Sequence, residues 1–365
     1  MNTPIYLLIK PASGRCNMNC RYCFYADEAQ NRETSDFGML PEETLEIVIR
    51  KALTHAKGGC TFGYQGGEPT LRGLAFYKKA VSLQKQYNAS DIRIDNALQT
   101  NGLLLDDEWA AFLKQEKFLV GLSIDGTTSV HNKNRVDYKG EGTLRRVMDA
   151  AALLKSHQVE FNVLTVVTND TTRKIGAIYD FFMERGLPWQ QYIPCLDPIG
   201  EGTAWLTPEN YSSFLKTLFD RWARDVLNGR FVYIRQFENY IGILLNKPPE
   251  SCNMMGRCTN QYVVEADGSV YPCDFYALDA YRLGSLVTDS FEQLDKTRAE
   301  LRFIEDSLER DAECSTCPYY SLCRGGCRRD RDIGTSLGRN RFCQAYKEFF
   351  AFALPVMKEI AVMCR

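Results

Sequence analysis

Histidine is scarce in this 365-residue chain: His55, His131 and His157 are the only three, and none stands beside a cysteine cluster. Charge of one sign is also missing, since 44 Lys+Arg against 46 Asp+Glu leave a net charge of −2. Nothing in that balance calls for nucleic acid or an anionic membrane surface as partner. No uncharged apolar run is long enough to span a bilayer, and the opening MNTPIYLLIK has neither the charged n-region nor the apolar h-region of a secretory signal. The sequence therefore reads as cytoplasmic and reducing. What it does have is cysteine, 14 residues of it, and in a reducing compartment such cysteines are metal ligands more often than disulfides.

Three of them, Cys16, Cys20 and Cys23, stand in the string CNMNCRYC, just after a strand-like run. A structural zinc site wants four ligands, commonly paired cysteines or cysteine with histidine, and this loop supplies three thiols and no imidazole. Three thiolates in one loop suit a four-iron cluster in which one iron keeps no protein ligand and is open to chemistry.

The chain is long enough for one large domain and a smaller one. Strand-like runs occur at 6–10, 61–65, 94–100, 118–125, 160–167 and 189–195, with helical patterns between them. The stretch from Pro41 has Pro at its start and acidic residues in its first turn. LRRVMDAAALLKSH and TTRKIGAIYDFFMERG follow later, the latter closed by Gly186. Six strand–helix repeats argue for an α/β fold with a helix-covered parallel sheet, expected as a partial (βα)6 TIM barrel because a full barrel needs eight strands. The site is then expected at the C-terminal strand ends. There, QGGEPT (Gln65 to Thr70) follows the second strand, its glycines allowing close backbone approach and Glu68 offering a carboxylate.

CNMNCRYC with a downstream GGEP resembles the radical S-adenosylmethionine superfamily over roughly the first 200 residues. The resemblance implies that Cys16, Cys20 and Cys23 hold a [4Fe-4S] cluster whose open iron is chelated by S-adenosylmethionine. It places Tyr22 and Leu196 against adenine, Gly66, Gly67 and Glu68 at the methionyl end, and Ser123 and Arg135 on the ribose and the methionine carboxylate.

In the last third, Cys252, Cys258, Cys273, Cys314, Cys317, Cys323, Cys327 and Cys343 provide eight thiols, enough for two fully ligated four-iron clusters. From Cys258 their spacing resembles the SPASM extension of the same superfamily. Spacing alone does not partition them. The family pattern implies Cys252, Cys258, Cys273 and Cys327 for one auxiliary cluster, with Cys314, Cys317, Cys323 and Cys343 for the other, making three [4Fe-4S] clusters. The expected boundary puts the barrel in residues 1–235 and the cysteine-rich SPASM domain, with a β-hairpin turning at Asp267-Gly268, in 236–365. Cys60 and Cys195 are expected as buried thiols and Cys364 as an exposed one, all without function. Arg324, Arg328, Arg329 and Arg331 in CRGGCRRDRD are read as neutralising anionic clusters rather than binding nucleic acid.

Along nearly the whole chain, LLIKPAS, QGGEPTL, LQTNG, FLVGLS and VYPCDFY look like the anaerobic sulfatase-maturating enzymes. The resemblance implies oxidation of a cysteine or serine in a sulfatase C/S-x-P-x-R segment to Cα-formylglycine. A 5′-deoxyadenosyl radical would take hydrogen from the target Cβ, Asp274 would act as general base, and an auxiliary cluster would accept an electron. Since a thiol has a pKa near about 8.5 and a serine hydroxyl lies far higher, a placed base serves either substrate. Tyr25 and Gln65 are expected to touch the peptide. A flavodoxin- or ferredoxin-type reductant and a monomeric enzyme complete the expectation. Two alternatives stay open. One is a SPASM maturase crosslinking a ribosomal peptide, disfavoured by a barrel that starts within ten residues. The other is a non-catalytic iron–sulfur electron carrier, which would not need the open three-cysteine site.

Overall fold

Each of the six strands expected from apolar runs forms within two residues of its expected ends. They are β1 (Ile5–Ile9), β2 (Cys60–Tyr64), β3 (Ile94–Thr100), β4 (Leu119–Ser123), β5 (Phe161–Val167) and β6 (Trp189–Pro194). The computed structural model describes residues 4–200, 205–332 and 338–364. Later come β7 (Tyr233–Ile234), β8 (Tyr262–Val264), β9 (Ser269–Tyr271) and β10 (Gly284–Ser285). Two compact units result: one from residues 1–123, 134–161 and 260–303, the other from 124–133, 162–259 and 304–365.

In the first unit β1, β2, β3 and β4 run parallel in sequence order. Ile5, Leu7 and Ile9 are buried on one side of β1. The helix Glu42–His55 buries Leu45, Val48, Ile49, Ala52 and Leu53, an i, i+3, i+4, i+7, i+8 stripe. The hairpin does more than the sequence suggests: β8 pairs in parallel with β1, and β9 and β10 follow antiparallel. Register sets the chemistry. Ile9 is opposite Tyr64 on one side and Val264 on the other, so Lys10, Gln65 and Glu265 are the first residues beyond three adjacent strand ends.

The second unit carries β5, β6 and β7 in parallel. The helices Pro208–Leu227 and Cys343–Met363 pack through aromatic side chains, with Phe219 and Phe349 ring centroids 5.7 Å apart. The single helix expected over TTRKIGAIYDFFMERG is two, Asn169–Arg173 and Ile175–Glu184, parted at Lys174. The hydroxyls of Thr171 and Thr172 donate to the carbonyls of Val166 and Asn169, local bonds of the kind that compete with a helix ladder. Gly186, at φ 60°, follows the second helix. Among the described residues no helix is long and apolar enough to cross a membrane.

Candidate active site and cluster pockets

The cysteine loop is pinned from three directions within the first unit. Asn19 N–H donates to Val136 O at 2.8 Å and Arg21 N–H to Asn134 O at 3.0 Å, while Asn101 Nδ2 reaches Asn17 Oδ1 at 2.7 Å and Cys16 Sγ at 3.7 Å. Gly67 N–H donates to Ser13 O at 2.9 Å and Glu68 N–H to Arg15 O at 2.7 Å. This contact explains the double glycine. A Cβ on Gly67 would lie 2.0 Å from Arg15 O, and one on Gly66, already at φ +118°, 2.7 Å from Ser13 O.

Glu68, expected to offer its carboxylate to a ligand, accepts four hydrogen bonds from within the protein. Its Oε1 accepts from Thr70 N, Thr70 Oγ1 and Thr100 Oγ1, and its Oε2 from Asn101 N at 2.8 Å. The side chain is buried and its acceptor capacity is used in tying the GGEP turn to the end of β3. Tyr22 and Arg135 are both buried, with the guanidinium 5.6 Å from the ring centroid. Ser123 Oγ accepts from Gln99 Nε2 at 3.1 Å. Leu196 lies in the second unit, its carbonyl accepting from the Cys195 thiol.

Asp274, 249 residues from Tyr25 in sequence, accepts the Tyr25 hydroxyl at 2.6 Å on Oδ2. Gln65 Nε2 donates to Tyr25 Oη at 2.7 Å and to Asp274 Oδ2 at 3.3 Å. On the other carboxylate oxygen, Lys10 Nζ stands 3.3 Å from Oδ1, and equally 3.3 Å from Glu265 Oε1. Arg32 completes the group at 2.7 Å from Glu265, and Glu28 lies 3.9 Å from Lys10 with neither oxygen hydrogen-bonded. Burial alone would discharge Lys10, but the carboxylates of Asp274, Glu265 and Glu28 outweigh it and hold the ammonium above its ordinary range. Burial, reinforced by Asp274, raises the Tyr25 phenol well above its usual value. Burial likewise pushes Glu28 up to about 8, against the pull of Lys10.

Sequence reasoning singled out Asp274, Tyr25 and Gln65 but not Lys10, Glu28, Arg32 or Glu265. The signal was a charge directly after an apolar strand, at Lys10 in LLIK and Glu265 in YVVE. Such charges at sheet ends face either a site or each other.

All 14 cysteines are free thiols. Burial pushes Cys16 up to about 12, with added push from Cys20 and Cys23, so the three belong to one electrostatic neighbourhood. In the second unit, Cys327 is raised by burial and by Asp330, Cys252 and Cys258. Cys314, Cys317, Cys323 and Cys343 line one pocket with Arg339, Lys347 and aromatic rings of Tyr319, Tyr346 and Phe350. Among the described residues no three His, Cys, Asp or Glu converge on the position of a single metal ion. Thiols grouped without a common centre fit a multi-iron cluster, whose ligands bind different irons, better than mononuclear zinc. Iron binding would expel the protons that burial keeps on Cys16, Cys23, Cys323 and Cys327. Cys60 and Cys195 are buried and Cys364 is exposed.

Residues 11–182 match the radical SAM superfamily, and residues 252–318 match SPASM, an iron–sulfur cluster-binding domain. The chain is 46% identical over 364 residues to a cysteine-type anaerobic sulfatase-maturating enzyme of Clostridium perfringens, covering 98% of each sequence. It is 31% identical to a serine-type anaerobic sulfatase-maturating enzyme of Bacteroides thetaiotaomicron, over 97% of this chain and 90% of that one. A solved structure of native anSMEcpe with bound AdoMet and Cp18Cys peptide superposes with a TM-score of 0.94 at 44% identity, covering 100% of both chains.

Proposed function

The chain belongs to the anaerobic sulfatase-maturating enzymes of the radical S-adenosylmethionine superfamily, and we propose that it converts a cysteine in a sulfatase C-x-P-x-R segment to Cα-formylglycine with Asp274 as the base. The observation that carries this reading is the Asp274–Tyr25–Gln65 contact, made in the same compact unit as the Cys16–Cys20–Cys23 loop. Preference for cysteine over serine is supported by the identities, 46% to the cysteine-type relative against 31% to the serine-type one.

Cys16, Cys20 and Cys23 would hold the [4Fe-4S] cluster that binds S-adenosylmethionine, and the eight later cysteines two further clusters. Bound together, that cluster and S-adenosylmethionine supply the radical that removes hydrogen from the target Cβ. Tyr22, Gly66, Gly67, Ser123 and Arg135 line the S-adenosylmethionine site. Glu68 acts one layer back, holding the GGEP turn against the end of β3.

The substrate thiol, with a pKa near about 8.5, is mostly protonated at neutral pH, so a fixed carboxylate within reach accelerates its deprotonation. Lys10 keeps a positive charge on the Oδ1 side of Asp274, while Tyr25 and Gln65 fix Oδ2. The carboxylate is thereby oriented before substrate arrives. Tyr25 and Gln65 are in turn the peptide's first polar contacts. Residues 1–235 form the radical-generating barrel and 236–365 the cluster-bearing extension; a flavodoxin- or ferredoxin-type reductant supplies electrons to a monomeric cytoplasmic enzyme.

Anaerobic incubation with matched C-x-P-x-R and S-x-P-x-R peptides, read by mass spectrometry, tests the proposal. Aldehyde formation is expected faster on the cysteine peptide. A crosslinked product, or no oxidation of either peptide with intact clusters, would overturn it.

A further inference from the structure

Arg331 is a buried guanidinium whose hydrogen bonds, among the described residues, go to backbone carbonyls. Its Nη1 donates to Glu309 O at 2.5 Å and its Nη2 to Ser307 O at 2.8 Å. Nε, shielded from solvent, finds no acceptor, and among the described residues no carboxylate is in ion-pair contact with this side chain. A second cation is close by, since Arg310 Nη1 donates to the same Ser307 carbonyl. A buried charge with no counter-ion beside a like charge is strongly unfavourable. A counter-charge beyond ion-pair contact must offset it.

The candidates for that role are thiolates. Burial disfavours the Arg331 charge and Arg310 adds to this, while Cys258, Cys327 and Asp332 favour it. Asp332 is already engaged by Arg328 at 3.5 Å. Cys258 is tied to the same spot, its N–H donating to Ser307 Oγ at 2.8 Å. Ser307 thus presents its carbonyl to both arginines and its hydroxyl to the backbone of a ligand cysteine. Two other arginines of CRGGCRRDRD are otherwise occupied: Arg324 donates to the carbonyls of Ser321 and Met254, and Arg328 pairs with Asp306 and Asp332.

Building on the cluster assignment above, we propose that Arg331 is the counter-ion of the auxiliary cluster held by Cys258 and Cys327, its Nε–H donating to a sulfur there, and that it raises this cluster's reduction potential. A fixed cation and a hydrogen bond to sulfur both favour the reduced, more negative state.

The test uses anaerobically reconstituted full-length protein with potentiometric EPR on Arg331→Met and Arg331→Lys. In Arg331→Met one cluster's reduced-to-oxidised ratio at a fixed potential is expected to fall by about tenfold or more, the weight of a charge-assisted hydrogen bond. The other two clusters should be unmoved, and Arg331→Lys should lie between. Three unshifted potentials in fully loaded Arg331→Met would overturn the inference. Should that variant lose iron, wild-type protein labelled with 15N-arginine provides the second measurement. Electron spin-echo modulation should show nitrogen coupling at one reduced auxiliary cluster, lost in Arg331→Lys, and absence of coupling in the wild type overturns the proposal equally. Iron saturating near four atoms per chain would instead defeat the three-cluster reading itself.

Discussion

Lys10 Nζ lies 3.3 Å from Oδ1 of Asp274, and the two meet because β8 is parallel to and paired with β1. The ammonium is almost fully buried, at 2% side-chain exposure, and Glu265 stands at the same distance on its other side. Replacing Lys10 by Met removes the buried cation shared by Asp274, Glu265 and Glu28, a loss on the order of 3–5 kcal/mol. Chemical denaturation of the loaded protein is expected to show that loss. Peptide oxidation should fall while cleavage of S-adenosylmethionine persists, and Lys10→Arg should recover part of both.

Asp274→Asn keeps the shape of the side chain and removes its basicity. Aldehyde yield is expected to drop by about 10²–10⁴-fold, the usual weight of a positioned base, with 5′-deoxyadenosine still produced. Unchanged yield in a peptide assay would leave Asp274 a residue of structure only.

Replacing Cys16, Cys20 and Cys23 together by Ala should remove about four of about 12 irons and abolish 5′-deoxyadenosine formation, leaving the auxiliary clusters visible by EPR. Persisting cleavage would sink the assignment of that loop.

Gly67→Ala places a methyl 2.0 Å from Arg15 O. The backbone there must move, so the variant is expected to bind S-adenosylmethionine weakly, by calorimetry, while far-UV circular dichroism stays close to that of the parent.

Glu28 has a folded-state pKa raised to about 8, chiefly by burial. Between its unfolded value near about 4.3 and that raised value the folded state binds the extra proton, so folding stability from this group falls as pH rises through the window. Glu28→Gln removes the dependence. Its stability relative to the parent should be nearly unchanged at the acid end of the window and should grow toward pH 8, followed by thermal melts in matched buffers. A difference flat in pH would refute the raised value.

The six strands were legible because apolar runs such as LVGLS and FNVLTVV have few alternatives. The break at Lys174 was not, since it depends on which carbonyls the Thr171 and Thr172 hydroxyls reach. At the site, Asp274 was legible through its neighbour Cys273, whereas its partner Lys10 depends on a parallel pairing between segments some 250 residues apart, which local periodicity does not encode. Glu68 shows the converse: the residue was conspicuous, but only hydrogen-bond partners reveal that its carboxylate is used internally.

The parallel pairing of β8 with β1 also has a consequence for how the protein is made. A chain emerging from the ribosome presents the Tyr25 segment 249 residues before Asp274, which accepts its hydroxyl. Domains fold as they emerge, and non-local parallel pairing is slow. During synthesis β1 therefore waits for β8, its parallel partner, until most of the polypeptide has been made. The Tyr25–Asp274 contact can therefore form only once the polypeptide between the two has been made.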